Sequence, residues 1–103
     1  MSKKNKRNGT IEMFSAPVKA PVVEAWFDGA IEPVNPGGDA TYGIAVNVLG
    51  QPVCRRSGYV GFGPKMSNNV AEFAGFKAAL EEALKYEGPI LIRGDAIKVQ
   101  LGI

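Results

Sequence analysis

Three acidic residues of this 103-residue chain occupy positions from which carboxylates could act together. Asp28 and Asp95 each end an apolar run that is typical of a β-strand, and Glu72 lies in the first turn of a predicted helix that starts in residues 66–73. If the two runs are parallel strands, both aspartates emerge at the edge of the sheet where parallel sheets bind ligands. The start of the helix can reach the same edge, so the three carboxylates are predicted to converge.

Convergent carboxylates repel one another, which favours either protonation or a shared cation. The chain has no histidine, which excludes Ser-His-Asp and Cys-His mechanisms and histidine-bearing zinc sites. Oxygen ligands with incomplete protein coordination suit Mg²⁺ or Mn²⁺. Two such ions about 3.5–4 Å apart position a water and stabilise the leaving oxygen in phosphodiester cleavage.

Each carboxylate also has a local alternative. Glu72 has the spacing of a capping-box glutamate, three residues after Asn69. Asp28 precedes a glycine and fits a turn, and Asp95 fits the N-cap of a last helix.

The elements that would position these residues begin with an antiparallel meander. Residues 22–29 are rich in β-branched and aromatic side chains and predict a first strand. A loop containing Asn35-Pro36-Gly37-Gly38 follows, and residues 40–49 then alternate with the period of two that predicts a second strand. A tight turn leads to a third strand at residues 53–62, and strands joined in this way pair antiparallel.

A helix and a further strand complete the pattern. Asn69 is the predicted N-cap, and Gly88-Pro89 is the predicted end of the helix. The predicted buried stripe is apolar and consists of Phe73, Phe76, Leu80, Ala83 and Leu84, whereas the predicted outward-facing residues are Glu81, Glu82 and Lys85.

Residues 89–95 are continuously apolar at their centre, as in a strand that is buried on both faces. A strand–helix–strand order predicts a right-handed crossover and a parallel pair with the first strand. Residues 96–103 predict the start of another helix, because Ile97 and Leu101 are four residues apart.

The composition is that of one small globular domain, with 46% hydrophobic and 21% charged residues. No apolar run approaches the roughly 20 residues needed to span a bilayer, and no secretory signal is recognisable. The single cysteine, Cys54, is interpreted as a buried structural thiol and favours a reducing, cytoplasmic location.

Basic residues are concentrated at the N-terminus. Residues 1–25 carry a net charge of +3 and the remainder −1. We interpret residues 1–20 as a flexible basic leader and residues 21–103 as the domain. Such a leader attracts polyanions without reading their sequence, and a merely solvated, disordered segment is the alternative.

Four segments, taken together and in this order, resemble the type 1 ribonuclease H family over about residues 22–100. They are Phe27-Asp28-Gly29-Ala30, Asn35-Pro36-Gly37-Gly38, Ser67-Asn68-Asn69-Val70-Ala71-Glu72-Phe73 and Ile92-Arg93-Gly94-Asp95. The resemblance implies an α/β, ribonuclease H-like mixed sheet of strand order 3-2-1-4. It also implies hydrolysis of the RNA strand of an RNA–DNA hybrid with two Mg²⁺ ions.

The resemblance further implies roles for single residues. Asp28, Glu72 and Asp95 match three of the family's four metal-binding carboxylates, and are the expected catalytic residues. The implied substrate-binding residues are Gly29, Asn35, Asn68 and Asn69. A side-chain amide at the helix start could hydrogen-bond a 2′-hydroxyl, which distinguishes RNA from DNA. Helix capping is the alternative role for the two asparagines.

The sequence also departs from the family. No acidic residue follows Asp95, and Ala96 stands where the family usually has serine. The family's fifth strand is expected to be absent, so the chain is interpreted as a C-terminally truncated member with an open sheet edge beside the fourth strand.

The sequence is therefore compatible with three functions. The first is a hybrid-specific endoribonuclease. The second is a catalytically impaired nucleic-acid-binding module, and the third is a self-assembling module that dimerises through that edge.

Overall fold

The computed structural model describes residues 20–94 and 98–101. Residues 1–19 of the predicted leader (residues 1–20) and the predicted ligand Asp95 lie outside the described residues. The elements are β1 (Val23–Glu32), β2 (Gly37–Val48), β3 (Gln51–Gly63), α1 (Asn68–Ala83), β4 (Ile90–Arg93) and β5 (Lys98–Leu101).

The strands form one mixed sheet of order β3-β2-β1-β4-β5. β1 pairs antiparallel with β2 from Val23↔Val48 to Glu32↔Asp39, and β2 pairs antiparallel with β3. β1 pairs parallel with β4, as the strand–helix–strand order requires. The predicted α/β class, the meander and the strand order 3-2-1-4 are therefore confirmed.

The fifth strand corrects three expectations. β5 pairs antiparallel with β4, from Ile90↔Leu101 to Arg93↔Lys98. The absence of a fifth strand, an open edge beside β4 and a helix across residues 98–101 were therefore wrong predictions. The prediction of a helix was based on the four-residue spacing of Ile97 and Leu101. A strand whose alternate residues are apolar gives the same spacing. Val99 is 5% exposed and joins the core, and pairing with β5 satisfies backbone groups at the edge of β4.

Helix α1 packs on one face of the sheet through small side chains. Its buried residues are Ala71, Gly75, Ala78, Ala79, Glu82 and Ala83. The predicted buried stripe was wrong for Phe73 and Leu84, which are 67% and 52% exposed. Phe76 is partly buried, and its ring meets that of Phe27 edge to face with the centroids 5.7 Å apart. A face of small residues lets the helix approach the sheet closely, which leaves no room for the larger side chains.

The ends of α1 also differ from the prediction. Ser67 is the N-cap, and its Oγ accepts a hydrogen bond from the Val70 N–H at 3.3 Å. The predicted N-cap Asn69 is inside the helix, so Glu72 lies beyond the first turn. The helix ends at Ala83, five residues before Gly88. No helix in the described part of the chain is long and apolar enough to cross a membrane.

Candidate active site and substrate-binding surface

Asp28 lies within β1, which continues to Glu32 instead of ending at Gly29 as predicted. The parallel pairing of β1 with β4 stops at Trp26↔Arg93, two residues before Asp28. On its other side β1 remains paired with β2, where Asp28 lies opposite Gly43. Asp28 is exposed and therefore sits just past the end of the parallel pair, where a ligand can reach its carboxylate.

Gly29 brings β1 into contact with the helix at the residues around Glu72. A Cβ added to Gly29 would lie 2.6 Å from the Ala71 carbonyl carbon and 2.7 Å from the Glu72 nitrogen. Only a residue without a side chain permits this approach of two backbones. The chain segment that carries Asp28 therefore lies directly against the helix backbone that carries Glu72, which is half-buried.

A second glycine joins β1 to the end of β4. A Cβ added to Gly94 would overlap the ring of Phe27, so Gly94 lies directly on that ring. Phe27 precedes Asp28 in the sequence, and Gly94 precedes Asp95. Among residues 20–94 and 98–101, which do not include Asp95, no group of three or more His, Cys, Asp or Glu side chains could hold a metal ion.

The three predicted substrate-binding asparagines lie on two segments that are hydrogen-bonded together. Asn35 is exposed in the loop between β1 and β2, and Asn68 and Asn69 are exposed in the first turn of α1. The Gly37 N–H donates to the Met66 carbonyl oxygen at 3.0 Å, which ties the loop to the segment that precedes the helix. Since Ser67 caps the helix, the side chains of the two helical asparagines are not needed for that purpose.

Away from this region, Glu82 is buried between α1 and the sheet at 6% exposure. Its Oε1 accepts hydrogen bonds from Arg56 Nη1 at 2.7 Å and from Lys85 Nζ at 3.1 Å. These bonds lower the pKa of Glu82, and the bond to Glu82 raises the pKa of Arg56. The prediction that Glu82 points away from the core was wrong. Its partner Arg56 lies on β3, 26 residues away, so residues near Glu82 in the sequence give no indication of the pair. This ion pair is structural.

Two surface depressions each contain one predicted site residue, Asp28 or Asn69, beside residues for which no role in the site was predicted. One lies on the sheet and is lined by Trp26, Phe27, Asp28, Gly43, Ile44, Ala45, Arg55, Arg56 and Ser57. The other lies between β3 and α1 and is lined by Val60, Asn69, Val70, Phe73, Ala74 and Lys77. The sequence contains an indication of the second depression. Asn69, Phe73 and Lys77 are spaced four residues apart, so they lie on one face of the helix.

No protein-family model matches the chain. Among solved structures, it is similar to LC11 RNase H1 in complex with an RNA/DNA hybrid, with a TM-score of 0.57 and 23% identity over 70% of this chain and 53% of that chain. It is also similar to RNase H1 from the halophilic archaeon Halobacterium salinarum NRC-1, with a TM-score of 0.57 and 32% identity over 70% of this chain and 52% of that chain. The chain thus spans about half the length of each. The strand order, the helix on one face of the sheet and these matches together show that this chain has the ribonuclease H1-like fold.

Proposed function

We propose that this chain is a metal-dependent endonuclease that hydrolyses the RNA strand of RNA–DNA hybrids. Asp28, Glu72 and Asp95 are its proposed metal-binding and catalytic carboxylates. The observation that carries the proposal is the contact of Gly29 with the helix backbone at Glu72, which places two of the three carboxylate-bearing segments side by side. The structural neighbours support it, since both are RNase H1 enzymes and one was solved with an RNA/DNA hybrid.

The donor set fits the implied ions. Asp28 offers an exposed carboxylate beside the segment of Glu72, and neither nitrogen nor sulfur ligands accompany them in the proposed set. Such oxygen donors suit Mg²⁺, and Mn²⁺ is the second choice. When bound, two such ions activate a water and stabilise the leaving oxygen of the phosphodiester. The role of the protein is to hold these carboxylates close together on a rigid sheet and helix.

Recognition of the RNA strand is assigned to the exposed amides. Asn68 and Asn69 project from the first turn of α1, and Asn35 lies on the loop that is hydrogen-bonded to the segment before that turn. Amide side chains both donate and accept hydrogen bonds, so they suit the 2′-hydroxyl that only RNA carries. Gly29 contributes by the close approach of its backbone to the helix.

The substitution Asp28→Asn tests the hydrolase directly. It keeps the size of the side chain and removes the charge that would hold a cation, so cleavage of an RNA–DNA hybrid in Mg²⁺ is expected to fall at least about a hundredfold. A gel assay with a labelled RNA strand measures the rate. Glu81→Gln is the control, because Glu81 is exposed on α1 outside the candidate site and its loss is expected to leave the rate unchanged. Undiminished cleavage by Asp28→Asn would show a contaminating nuclease and end the proposal.

A nucleic-acid-binding module without hydrolysis is the second candidate. The exposed asparagines favour it, because hydrogen bonds from amides do not require the carboxylates. It predicts that the unsubstituted chain binds a hybrid in Mg²⁺ and leaves the RNA strand intact, which the same gel assay detects.

A further inference from the structure

Helix α1 carries a row of three exposed side chains of complementary chemistry. Asn69, Phe73 and Lys77 follow one another at four-residue intervals, and all three are exposed. Successive members are about 6 Å apart along the helix axis, so the row is about 12 Å long. We call these three residues the Asn69–Lys77 row.

The fold does not account for the exposure of Phe73. The helix meets the sheet through alanines and a glycine, and Phe73 remains 67% exposed. Its ring borders a depression whose floor consists of the half-buried Val60, Val70 and Ala74. A flat, largely uncovered aromatic ring beside an apolar floor is suited to contact with a base or a sugar.

The charge of this surface selects among possible occupants. Of the residues that line this depression, Lys77 alone is charged, and none is acidic. An amide, an aromatic ring and an ammonium group together match a 2′-hydroxyl or base edge, a base or sugar face, and a phosphate. One ammonium group beside an exposed ring can therefore contact one phosphate and the sugar next to it. The row ends at Lys77, because the next residue at the same spacing, the exposed Glu81, is acidic.

We propose that the Asn69–Lys77 row binds one strand of the nucleic-acid substrate, so that this strand runs along α1 from Asn69 towards Lys77. This inference rests on the proposed function, because the row begins at Asn69, which is one of the residues proposed to bind the RNA strand. The row's length of about 12 Å corresponds to three or four base steps at about 3.4 Å each along a duplex. Phe73 contacts a sugar or a base edge of that strand, and the Lys77 ammonium contacts a phosphate.

The test measures affinity separately from cleavage. All variants are made in the Asp28→Asn background, and fluorescence anisotropy with a labelled RNA–DNA hybrid in Mg²⁺ reports the Kd. Phe73→Ala is expected to raise the Kd about three- to tenfold, because the ring loses its contact with a sugar or a base edge of the hybrid. Leu84→Ala is the matched control, since Leu84 is an exposed apolar residue at the opposite end of α1 and its loss should change the Kd less than twofold.

Two further variants separate contact from altered folding. Phe73→Trp keeps a stacking ring, so it is expected to retain affinity and to show quenching of the added indole fluorescence on binding, beyond any change from Trp26. Lys77→Ala is expected to lower the slope of log Kd against log salt by about one phosphate contact.

The outcomes distinguish this inference from the proposed hydrolase. Unchanged Kd values for Phe73→Ala and Lys77→Ala, or no measurable binding in the Asp28→Asn background, would overturn the inference while leaving the cleavage result as it stands. Binding that depends on Phe73, together with no cleavage by the chain that retains Asp28, would support the row and overturn the hydrolase. Self-association that Phe73→Ala abolishes, seen by light scattering, would assign the surface to a protein contact and overturn the inference.

Discussion

Glu82 shows how a single charged residue is kept inside this small domain. It is 6% exposed, and no other charged side chain that the structure describes is buried. One of its oxygens accepts from both Arg56 and Lys85, so two cations compensate the loss of hydration. Arg56 and Lys85 remain in contact with solvent, which reduces the cost of burying the carboxylate.

Removing this charge should make stability depend on pH. Glu82→Gln is expected to reduce the free energy of unfolding by about 1–3 kcal/mol at pH 7, the usual range for lost charge-assisted bonds. Because the pKa of Glu82 is lowered in the folded state, its contribution is present above the ordinary value of 4.5 and is lost as the pH falls through the folded-state value. Urea denaturation of both proteins at pH 7 and at pH values below about 4 measures this difference. Glu81→Gln is the control, and a difference that does not change with pH would contradict the assignment.

Glycines set the distances between the elements around the candidate site. Gly29 lies against the backbone of α1, Gly94 lies on the ring of Phe27, and the Cβ position of Gly75 is 3.3 Å from both Phe27 and Tyr42. β1 is therefore in contact with the helix through Phe27 and Gly29, and the ring of Phe27 also meets Gly94 at the end of β4. The contacts of Gly29 and Gly75 hold the segment of Asp28 against the helix that carries Glu72.

Adding one methyl group at Gly29 should separate these elements. In Gly29→Ala the new Cβ meets backbone atoms of Ala71 and Glu72, which cannot move independently of the helix. The free energy of unfolding is expected to fall by about 1–3 kcal/mol, as for other overpacked cores. Gly43→Ala is the matched control on the adjacent strand, because nothing lies within 4 Å of its Cβ position, and its stability should change by less than about 0.5 kcal/mol. Thermal or urea denaturation compares them, and equal effects would show that the close approach is unimportant.

The molecule as a whole is a five-stranded sheet with its described helix on one face. β5 covers the edge of β4, so β3 and β5 are the edge strands of the described sheet. β3 is 13 residues long and contains Pro52, Arg55 and Arg56. Proline and positive charges on an edge strand oppose pairing with a second chain, which offsets the exposure of so long an edge.

The basic leader should act on affinity through charge alone. Deleting residues 1–20 removes five of the twelve basic residues and one of the ten acidic ones. At low salt the Kd for a hybrid is expected to rise, and the slope of log Kd against log salt is expected to become shallower. Anisotropy titrations at several salt concentrations measure both, and melting temperatures check that the domain remains folded. An unchanged Kd at low salt would show that the leader does not contact the nucleic acid.

The sequence alone predicted the elements whose patterns are local. Period-two alternation, turn residues and the strand–helix–strand order were sufficient for the meander and for the parallel pairing of β1 with β4. The order 3-2-1-4 came from the resemblance to the ribonuclease H family, and the sheet confirms it. The same patterns singled out Asp28 and Glu72, and the structure brings their segments together at Gly29. Local patterns determine these features because strand periodicity and turn chemistry depend on near neighbours.

Tertiary structure decided the features that depend on residues distant in sequence. The buried face of α1 consists of alanines instead of phenylalanines, since the short distance to the sheet excludes large side chains. Glu82 is buried because Arg56, 26 positions away, reaches it. Residues 98–101 form a strand because β4 offers them an edge to pair with. Their spacing alone fits either a helix or a strand, and only the neighbouring backbone selects between the two.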